Sequence, residues 1–287
     1  MFKHILVPAT GATTDAPVFA TALLVARTFQ AHIEFLHVKI DVTDVIISMT
    51  SGGVGGGIAE GVVERLEADN KAQETKAWQA FTTFCADAGI AAGGGAPGAG
   101  LCADMMVETG NTAQWLAEYG RFADLVVVGR KREGEDAAMD VLEAALMDTG
   151  KPLLIAPAVA PASLAGMVVI AWKDTAEAAR AVAAALPFIA IAERVLIVSI
   201  DEEDDASDAS GERLHRALRW HNKNVAVRHL QRGGRAPVVV LLEVAKAEGT
   251  SLLVMGGYSH SRLREVVFGG FTQSILRDAD LAVLIAH

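Results

Sequence analysis

The chain has 287 residues, enough for one large domain or for two domains of about 140 residues, each with its own core. Hydrophobic residues make up 52% of it and charged residues 21%, a balance that excludes a disordered chain and is typical of a globular protein with buried sheets. The net charge of −10 argues against a protein that binds a nucleic-acid duplex, because neutralising the phosphates requires a basic face. A local basic patch is still compatible with this charge.

The cysteines and the N-terminus give no sign of a metal site or of export. Cys85 and Cys102 form no Cys-x-x-Cys pair and no cysteine–histidine cluster, so we expect two buried thiols. The first residues enter a strand without a signal-peptide pattern, and no apolar run reaches the roughly 20 residues of a membrane span. We therefore expect a soluble, cytoplasmic protein that binds neither a membrane nor a nucleic acid.

The first half of the chain alternates strands and helices. We predict strands over 5–8, 33–38, around 105–107, 125–129 and 153–156, and helices from 15 onward and over 62–88, 112–119 and 137–147. Steady alternation of this kind is the signature of a parallel sheet covered by helices.

Residues 41–61 interrupt this alternation. The segment contains the run Ser51-Gly52-Gly53-Val54-Gly55-Gly56-Gly57, and glycines this dense are costly to order, so we predict a mobile loop. The alternative is a phosphate-binding cradle. It is weaker, because no strand ends at these glycines and no Lys-Ser or Lys-Thr follows them as in a P-loop.

The pattern starts again after a proline- and alanine-rich linker at 157–162. We predict strands over 168–172, 195–200, 225–230, 252–256 and 283–286, and helices over 175–186, 213–221, 238–247 and 271–276. Because the elements of the second half repeat those of the first in the same order, we interpret the chain as a tandem duplication, with domains at 1–157 and 166–287.

The end of the fourth strand of the second half carries a glycine motif. An apolar run ends at Gly256, a polar loop containing Ser259 follows, and Gly269 and Gly270 open the last helix. Glycines at such a junction allow backbone N–H groups to approach phosphate oxygens closely, and Thr272 adds a hydroxyl in the first helical turn.

This motif resembles the G-x-x-G-(nine residues)-G-S/T phosphate loop of the universal stress protein family, which are nucleotide-binding α/β proteins. Ser259 stands at the second glycine of that pattern, and Gly270 stands at its Ser or Thr. The resemblance covers both halves and implies an α/β fold of two flavodoxin-like (adenine nucleotide alpha hydrolase-like) domains, each with a five-stranded parallel sheet ordered 3-2-1-4-5. Paired domains of that family associate through their last strands, so we expect a pseudo-dimer with an approximate two-fold axis. A homodimer of the whole chain stays open.

In a sheet of this order, a ligand lies over the carboxyl ends of strands one and four. The resemblance implies an adenine nucleotide there, ATP or a relative, with Mg²⁺. Lys173 stands where ATP-binding members carry an aspartate, and it either meets a phosphate or points into solvent. Trp172 either stacks on the base or fills the core. Ile200 matches a residue that flanks adenine, and Gly233 matches a glycine-bearing loop. The expected contacts are Ala171, Trp172, Lys173, Ile200, Gly233, Met255, Gly256, Ser259, Gly269, Gly270, Phe271 and Thr272.

The first half keeps less of the pattern. Thr10 stands at the aspartate position, and residues 143–145, Glu-Ala-Ala, occupy the place where Gly-Ser would open the helix. Side chains there would keep phosphates from the backbone, so we expect this half to be structural. The basic triplet at 130–132 is interpreted as a solvated loop, with an anion site as the alternative.

Three functions follow from this pattern. The first is a stress-response protein that binds an adenine nucleotide in its second half, with no catalytic residue and at most slow ATP hydrolysis. The second is a ligand-free scaffold for an unknown protein partner, which the loss of the aspartate favours. The third is a small-molecule enzyme that uses His260 or Lys173. It ranks last, because no G-x-S-x-G elbow surrounds Ser261 and no carboxylate pair has the spacing for Mg²⁺.

Overall fold

The computed structural model describes residues 1–51, 56–93, 100–130, 136–201, 209–257 and 270–287. The strands are β1 (His4–Pro8), β2 (His32–Lys39), β3 (Ala91–Ala92), β4 (Cys102–Thr109), β5 (Leu125–Val128), β6 (Leu153–Ile155), β7 (Met167–Trp172), β8 (Arg194–Asp201), β9 (Val225–Gln231), β10 (Leu252–Gly256) and β11 (Ala282–Ala286). The helices are α1 (Asp15–Phe29), α2 (Val42–Ser51), α3 (Gly56–Ala88), α4 (Thr112–Gly120), α5 (Asp136–Met147), α6 (Ala176–Ile191), α7 (Ser210–Leu218), α8 (Pro237–Ala247) and α9 (Gly270–Asp278).

The strands form one continuous sheet in the order β3-β4-β2-β1-β5-β6-β11-β10-β7-β8-β9. Leaving out β3, each half contributes five strands in the predicted order 3-2-1-4-5, and the α/β fold class is confirmed. The two-residue strand β3 pairs with β4 at the edge of the first half, and it was not predicted. It adds a sixth strand to that half only.

The two halves meet at their last strands. Strand β6 pairs with β11 in antiparallel register, with Leu154 opposite Leu284, whereas the strands within each half pair in parallel. Two parallel sheets related by a two-fold axis must run in opposite directions where their last strands join. The junction therefore has the arrangement that the family resemblance implied.

The strands read as continuous apolar runs because helices cover both faces of the sheet. Along β1, Ile5 and Val7 pack into the core that holds α1, α3, α6 and α7, and Leu6 packs into the core on the opposite face, with α4, α5, α8 and α9. All four residues of β5 are buried. The period of two along each strand thus distributes one apolar run between two cores.

The predicted loop over 41–61 is wrong for most of its length, because α2 and the start of α3 occupy it. Asp41 begins α2 by accepting hydrogen bonds from the N–H groups of Thr43 and Asp44, at 2.8 Å and 3.4 Å. The two helices contact each other, and this contact supplies the stabilisation that the glycine-rich composition lacks. Residues 52–55 of the glycine run lie outside the described residues.

Cys85 and Cys102 are free, buried thiols, as predicted. Burial raises the pKa of Cys85 to about 11, so its thiol stays protonated and unreactive at neutral pH. Within the ranges given above, no three His, Cys, Asp or Glu side chains are arranged to hold a metal ion. In the same ranges, no helix has both the length and the apolar character needed to cross a membrane.

Candidate functional site

The strand order of the second half reverses between β7 and β10, where Ala171 lies opposite Met255. The chain leaves β7 for β8 on one side and returns through β10 on the other. The carboxyl ends of these two strands therefore border the crevice in which α/β sheets bind their ligands.

Three of the predicted contact residues share an apolar floor at this edge. Ala171, Ile200 and Met255 pack into the core on the same face of the sheet, together with Ile275 of α9. Because β7, β8 and β10 each contribute one of them, the floor spans the switch point. It is the kind of surface on which the flat face of a base packs.

Trp172 lies on the opposite face of the sheet. It is partly buried against the other core, and its indole Nε1 donates a hydrogen bond to Ser210 Oγ at 2.8 Å. The ring therefore fixes the first turn of α7 to the end of β7. This contact favours the core-filling interpretation of Trp172 over base stacking.

Gly256 is needed for helix packing. A Cβ built on it would lie 2.5 Å from the backbone nitrogen of Ala178 and 2.9 Å from the Cα of that residue, both in α6. Only a glycine permits so close an approach of a strand end and a helix backbone. The bare side of Gly256 is thus covered by α6, and the space beside it is taken by main-chain atoms.

The start of α6 already carries a negative charge. Thr175 caps the helix by accepting from the N–H of Ala178 at 3.2 Å, and Glu177 lies in the first turn. A hydrogen bond from its own backbone N–H, followed by the charge of Arg180, lowers the pKa of Glu177. Because the helix dipole at this end is matched by the protein's own carboxylate, a phosphate placed there would meet a like charge.

The start of α9 differs from that of α6. Helix α9 connects β10 to the parallel strand β11, so it runs antiparallel to them and begins at the carboxyl edge of the sheet. Among the described residues, which leave out 258–269, no atom lies within 4 Å of a Cβ placed on Gly270, and the first turn has no acidic residue. Thr272 is buried and Phe271 is 36% exposed. Ser259 and Gly269 lie outside the described residues, as do His260 and Ser261.

The remaining predicted contacts lie on neighbouring loops of the same edge. The carbonyl of Lys173 accepts from the N–H of Thr175 at 2.7 Å, which makes a tight turn after β7. Asp174 pairs with Arg213 of α7 at 3.0 Å, and both side chains are exposed. Gly233 follows β9 with φ of 55°, a left-handed conformation that suits glycine, and nothing lies within 4 Å of a Cβ placed there.

The equivalent loop of the first half is filled by a carboxylate. Asp15, 4% exposed, accepts from the N–H of Thr10 at 2.9 Å, the hydroxyl of Thr10 at 2.7 Å and the N–H of Gly11 at 2.8 Å. Burial raises the pKa of Asp15, although these three bonds oppose that shift. The sequence pattern identifies Asp15 only as the first residue of a helix. The signal for its second role is the Thr10-Gly11 pair, which precedes it by five and four residues.

Helix α3 closes the same loop from outside. Gly11 has φ of 76°, and a Cβ on it would lie 2.6 Å from the carbonyl oxygen of Gln73 and 3.2 Å from the backbone nitrogen of Ala77. The N–H groups after β1 are therefore engaged by Asp15 and covered by α3. Among the described residues of the second half, nothing of this kind covers Gly233 or Gly270.

One interpretation of the first half needs correction. Arg130 is not a solvated residue: it is partly buried, and its guanidinium donates to the carbonyl oxygens of Ile275 at 2.9 Å and Leu281 at 2.6 Å, both in the second half. Desolvation lowers the pKa of Arg130 to about 10. Residues 131–132 lie outside the described residues. Glu143 lies inside α5, within the helix predicted over 137–147.

Comparison with known proteins gives one family. A model of the universal stress protein family matches residues 125–287, more than half of the chain. The universal stress protein of Archaeoglobus fulgidus DSM 4304 superimposes with a TM-score of 0.71 at 16% identity, over 99% of this chain and 95% of its own. A structure from Pseudomonas aeruginosa UCBPP-PA14, assigned to the same proteins, gives 0.59 at 12% identity, over 99% and 93%. A search of curated sequences finds no match. The structural likeness covers both halves and shows the fold.

Proposed function

The chain belongs to the universal stress protein family, and from this premise we propose that it binds ATP or a related adenine nucleotide in its second half, without fast turnover. The nucleotide lies over the carboxyl ends of β7 and β10. The observation that carries the proposal is the start of α9 at Gly270, where the first turn has no acidic residue, next to strand ends that share an apolar floor.

The contrast between the halves supports this location. In the first half, the N–H groups after β1 are used by Asp15, and α3 lies against Gly11. In the second half, the first turn of α9 contains no acidic residue. Free N–H groups at a helix start, together with the helix dipole, attract phosphate oxygens.

Nine of the twelve predicted contacts then have a role, whereas Trp172 and Gly256 serve packing. The backbone at Gly270 and Phe271 donates to the phosphates, together with Ser259 and Gly269 of the preceding sequence motif, and the Thr272 hydroxyl belongs to the first turn of α9. Ala171, Met255 and Ile200 pack against the adenine, and Lys173 supplies a positive charge near the phosphates. Two carboxylates at this edge, Asp174 and Glu177, are paired with Arg213 and Arg180, so Mg²⁺ enters on the nucleotide's own phosphates.

A second candidate is a scaffold that keeps the fold, holds no nucleotide and acts through a protein partner. Three observations favour it. Lys173 replaces the family's aspartate, the bare side of Gly256 is covered by α6, and Glu177 already balances the dipole at the start of that helix. These features disfavour a phosphate beside α6. They do not involve the start of α9.

Calorimetric titration with Mg-ATP, together with mass spectrometry of whatever the purified chain carries, tests the proposal. Gly270→Asp places a negative charge at the start of α9, where the helix dipole tolerates it, so the fold should persist. We expect nucleotide affinity to fall at least tenfold, about 1.4 kcal/mol. The matched control is Asn111→Asp, which adds the same charge to the N-cap of α4 in the first half and should leave affinity unchanged.

Two results would overturn the proposal. Unchanged affinity in Gly270→Asp would place the nucleotide elsewhere, and failure to bind any adenine nucleotide would leave the scaffold as the function. The lack of fast turnover is checked by following phosphate release from ATP under the same conditions.

A further inference from the structure

The C-terminal end of α7 presents an exposed tryptophan. Trp220 follows the helix and is 91% exposed, although a tryptophan normally buries most of its surface. Because α7 connects β8 to the parallel strand β9, its C-terminal end lies at the amino edge of the sheet. Trp220 is therefore at the edge opposite the proposed nucleotide site.

Positive charge surrounds this ring in a chain whose net charge is −10. Residues 213–223 contain four arginines or lysines and two histidines, with no Asp or Glu among them. Arg216, Arg219 and Lys223 are exposed, and within the described residues none of them has a carboxylate within ion-pair distance. We call Arg216, Arg219, Trp220, His221 and Lys223 the Trp220 face.

The backbone beneath the Trp220 face is held in place. Asn222 is buried, and its side-chain amide donates to the carbonyl oxygens of Ile189 and Ala192, both at 2.7 Å, at the end of α6. Asn224 donates to the carbonyl of Glu193 at 3.0 Å. Because these hydrogen bonds already fix the backbone around Trp220, little conformational entropy is lost there when a partner binds.

The Trp220 face contains a shallow cavity that is wide open to solvent. Its volume is about 400 Å³, and it is lined by Ala190, Ala192 and residues 219–224. The two alanines supply apolar surface, and Arg219 and Lys223 supply positive charge. The cavity has room for one apolar side chain, with cations positioned for acidic residues on either side.

These features select among anionic partners. A lipid bilayer is held by several apolar anchors and a broad cationic surface, whereas the Trp220 face has one aromatic ring and three lysine or arginine side chains. A single-stranded nucleic acid binds along a basic groove with several bases stacked on aromatic rings, and this face has only one such ring. The side-chain amides of Asn222 and Asn224 already donate to backbone carbonyls and are not available to base edges. A short acidic peptide matches both the charge and the size of the Trp220 face.

We propose that the Trp220 face docks a short acidic segment of a partner protein, with an apolar residue of that segment in the cavity beside Trp220. Tryptophan and arginine are the side chains that most often dominate such contacts. The site is independent of the nucleotide site, because the two lie at opposite edges of the sheet.

Fluorescence polarisation on the full chain tests this, with a short labelled peptide of aspartate and glutamate around one central leucine. We expect Trp220→Ala and the double variant Arg219→Glu/Lys223→Glu each to weaken binding about tenfold or more. The matched control is Lys71→Glu/Lys76→Glu on α3, an equal charge change at exposed lysines of the other half, and it should bind as the unaltered chain does. Replacing the leucine by serine should also weaken binding.

Parallel experiments measure binding of the full chain to single-stranded oligouridylate and to vesicles of phosphatidylserine and phosphatidylcholine. If the chain does not bind the peptide, or if both variants bind it as tightly as the unaltered chain, the proposal is wrong. Binding of oligouridylate or vesicles that depends on Trp220, without binding of the peptide, would assign the face to another class of partner and would also overturn it.

Discussion

The guanidinium of Arg130, in the first half, donates a hydrogen bond to the carbonyl oxygen of Ile275, in the second, at 2.9 Å. A second bond reaches the carbonyl of Leu281 at 2.6 Å. Ile275 lies in the last turn of α9, where a positive charge is favourable, and its carbonyl also accepts from the N–H of Ala279 at 3.2 Å. One partly buried side chain of the first half thus contacts the C-terminal end of the helix whose other end forms the proposed nucleotide site.

We expect Arg130→Ala to lower the free energy of unfolding by about 2–4 kcal/mol, because it removes two hydrogen bonds between the halves and empties the space of a large, partly buried side chain. Urea denaturation measures the change. Arg121→Ala is the matched control: Arg121 also donates to a backbone carbonyl, that of Asp148 at 3.2 Å, but is exposed, so its loss should cost less than about 0.5 kcal/mol. Equal losses in the two variants would contradict the structural role of Arg130.

Gly256 and Gly270, both at the crevice of the second half, should respond in opposite ways to substitution by alanine. Gly256→Ala places a methyl group 2.5 Å from the backbone of α6, so we expect a loss of about 1–3 kcal/mol as strand and helix are forced apart. Gly270→Ala meets no neighbour among the described residues and removes a flexible residue from a helix, so stability should stay equal or rise by about 0.5–1 kcal/mol. Thermal unfolding compares the two variants, and a harmless Gly256→Ala would show that α6 does not rest on that glycine.

Two neighbouring histidines at the amino edge of the first half should titrate on opposite sides of pH 6.5. The hydrogen bond between His4 Nε2 and Glu34, at 3.0 Å, raises the pKa of His4. Burial lowers the pKa of His32, although Asp104 opposes this. Proton NMR titration of the two imidazole rings measures both pKa values. Equal pKa values, or a lower value for His4 than for His32, would contradict the assignment.

The raised pKa of His4 has a consequence for stability. A base whose pKa is raised on folding stabilises the protein below its unfolded pKa, about 6.5, and that contribution is lost as the pH rises through the folded value. The difference in unfolding free energy between the unaltered chain and Glu34→Gln should therefore be larger at pH 6 than at pH 9. A difference that does not change with pH would show that the pair adds no charge-dependent stability.

The sequence predicted the fold well because its strongest signals are local and repeated. Apolar runs such as 125–128 and 252–256 need no tertiary information to be read as buried strands, and their repetition revealed the duplication. Helix α2 was missed because neighbouring glycines outweighed a cap at Asp41 and a packing contact with α3. The position of Lys173 and Gly233 at one edge followed from strand order alone.

The parts of the site that escaped prediction depend on contacts between residues far apart in the chain. Gly256 looked like a phosphate-binding glycine, and only the approach of α6 shows that it serves packing. Arg130 looked like part of a solvated basic loop, because its partners come from the other half. Asp15 shows the same limit at shorter range: an aspartate that begins a helix is common, and that it fills the preceding loop appears only in three dimensions.

The antiparallel junction between β6 and β11 also affects how the chain can be assembled. Strand β6 consists of Leu153, Leu154 and Ile155, all buried, and one side of it is bonded only to residues 283–285. During synthesis, the backbone N–H and C=O groups on that side of β6 therefore stay unpaired until residues 283–285 have been made. A fragment cut short of Ala282 would keep that edge bare and would be prone to associate with copies of itself.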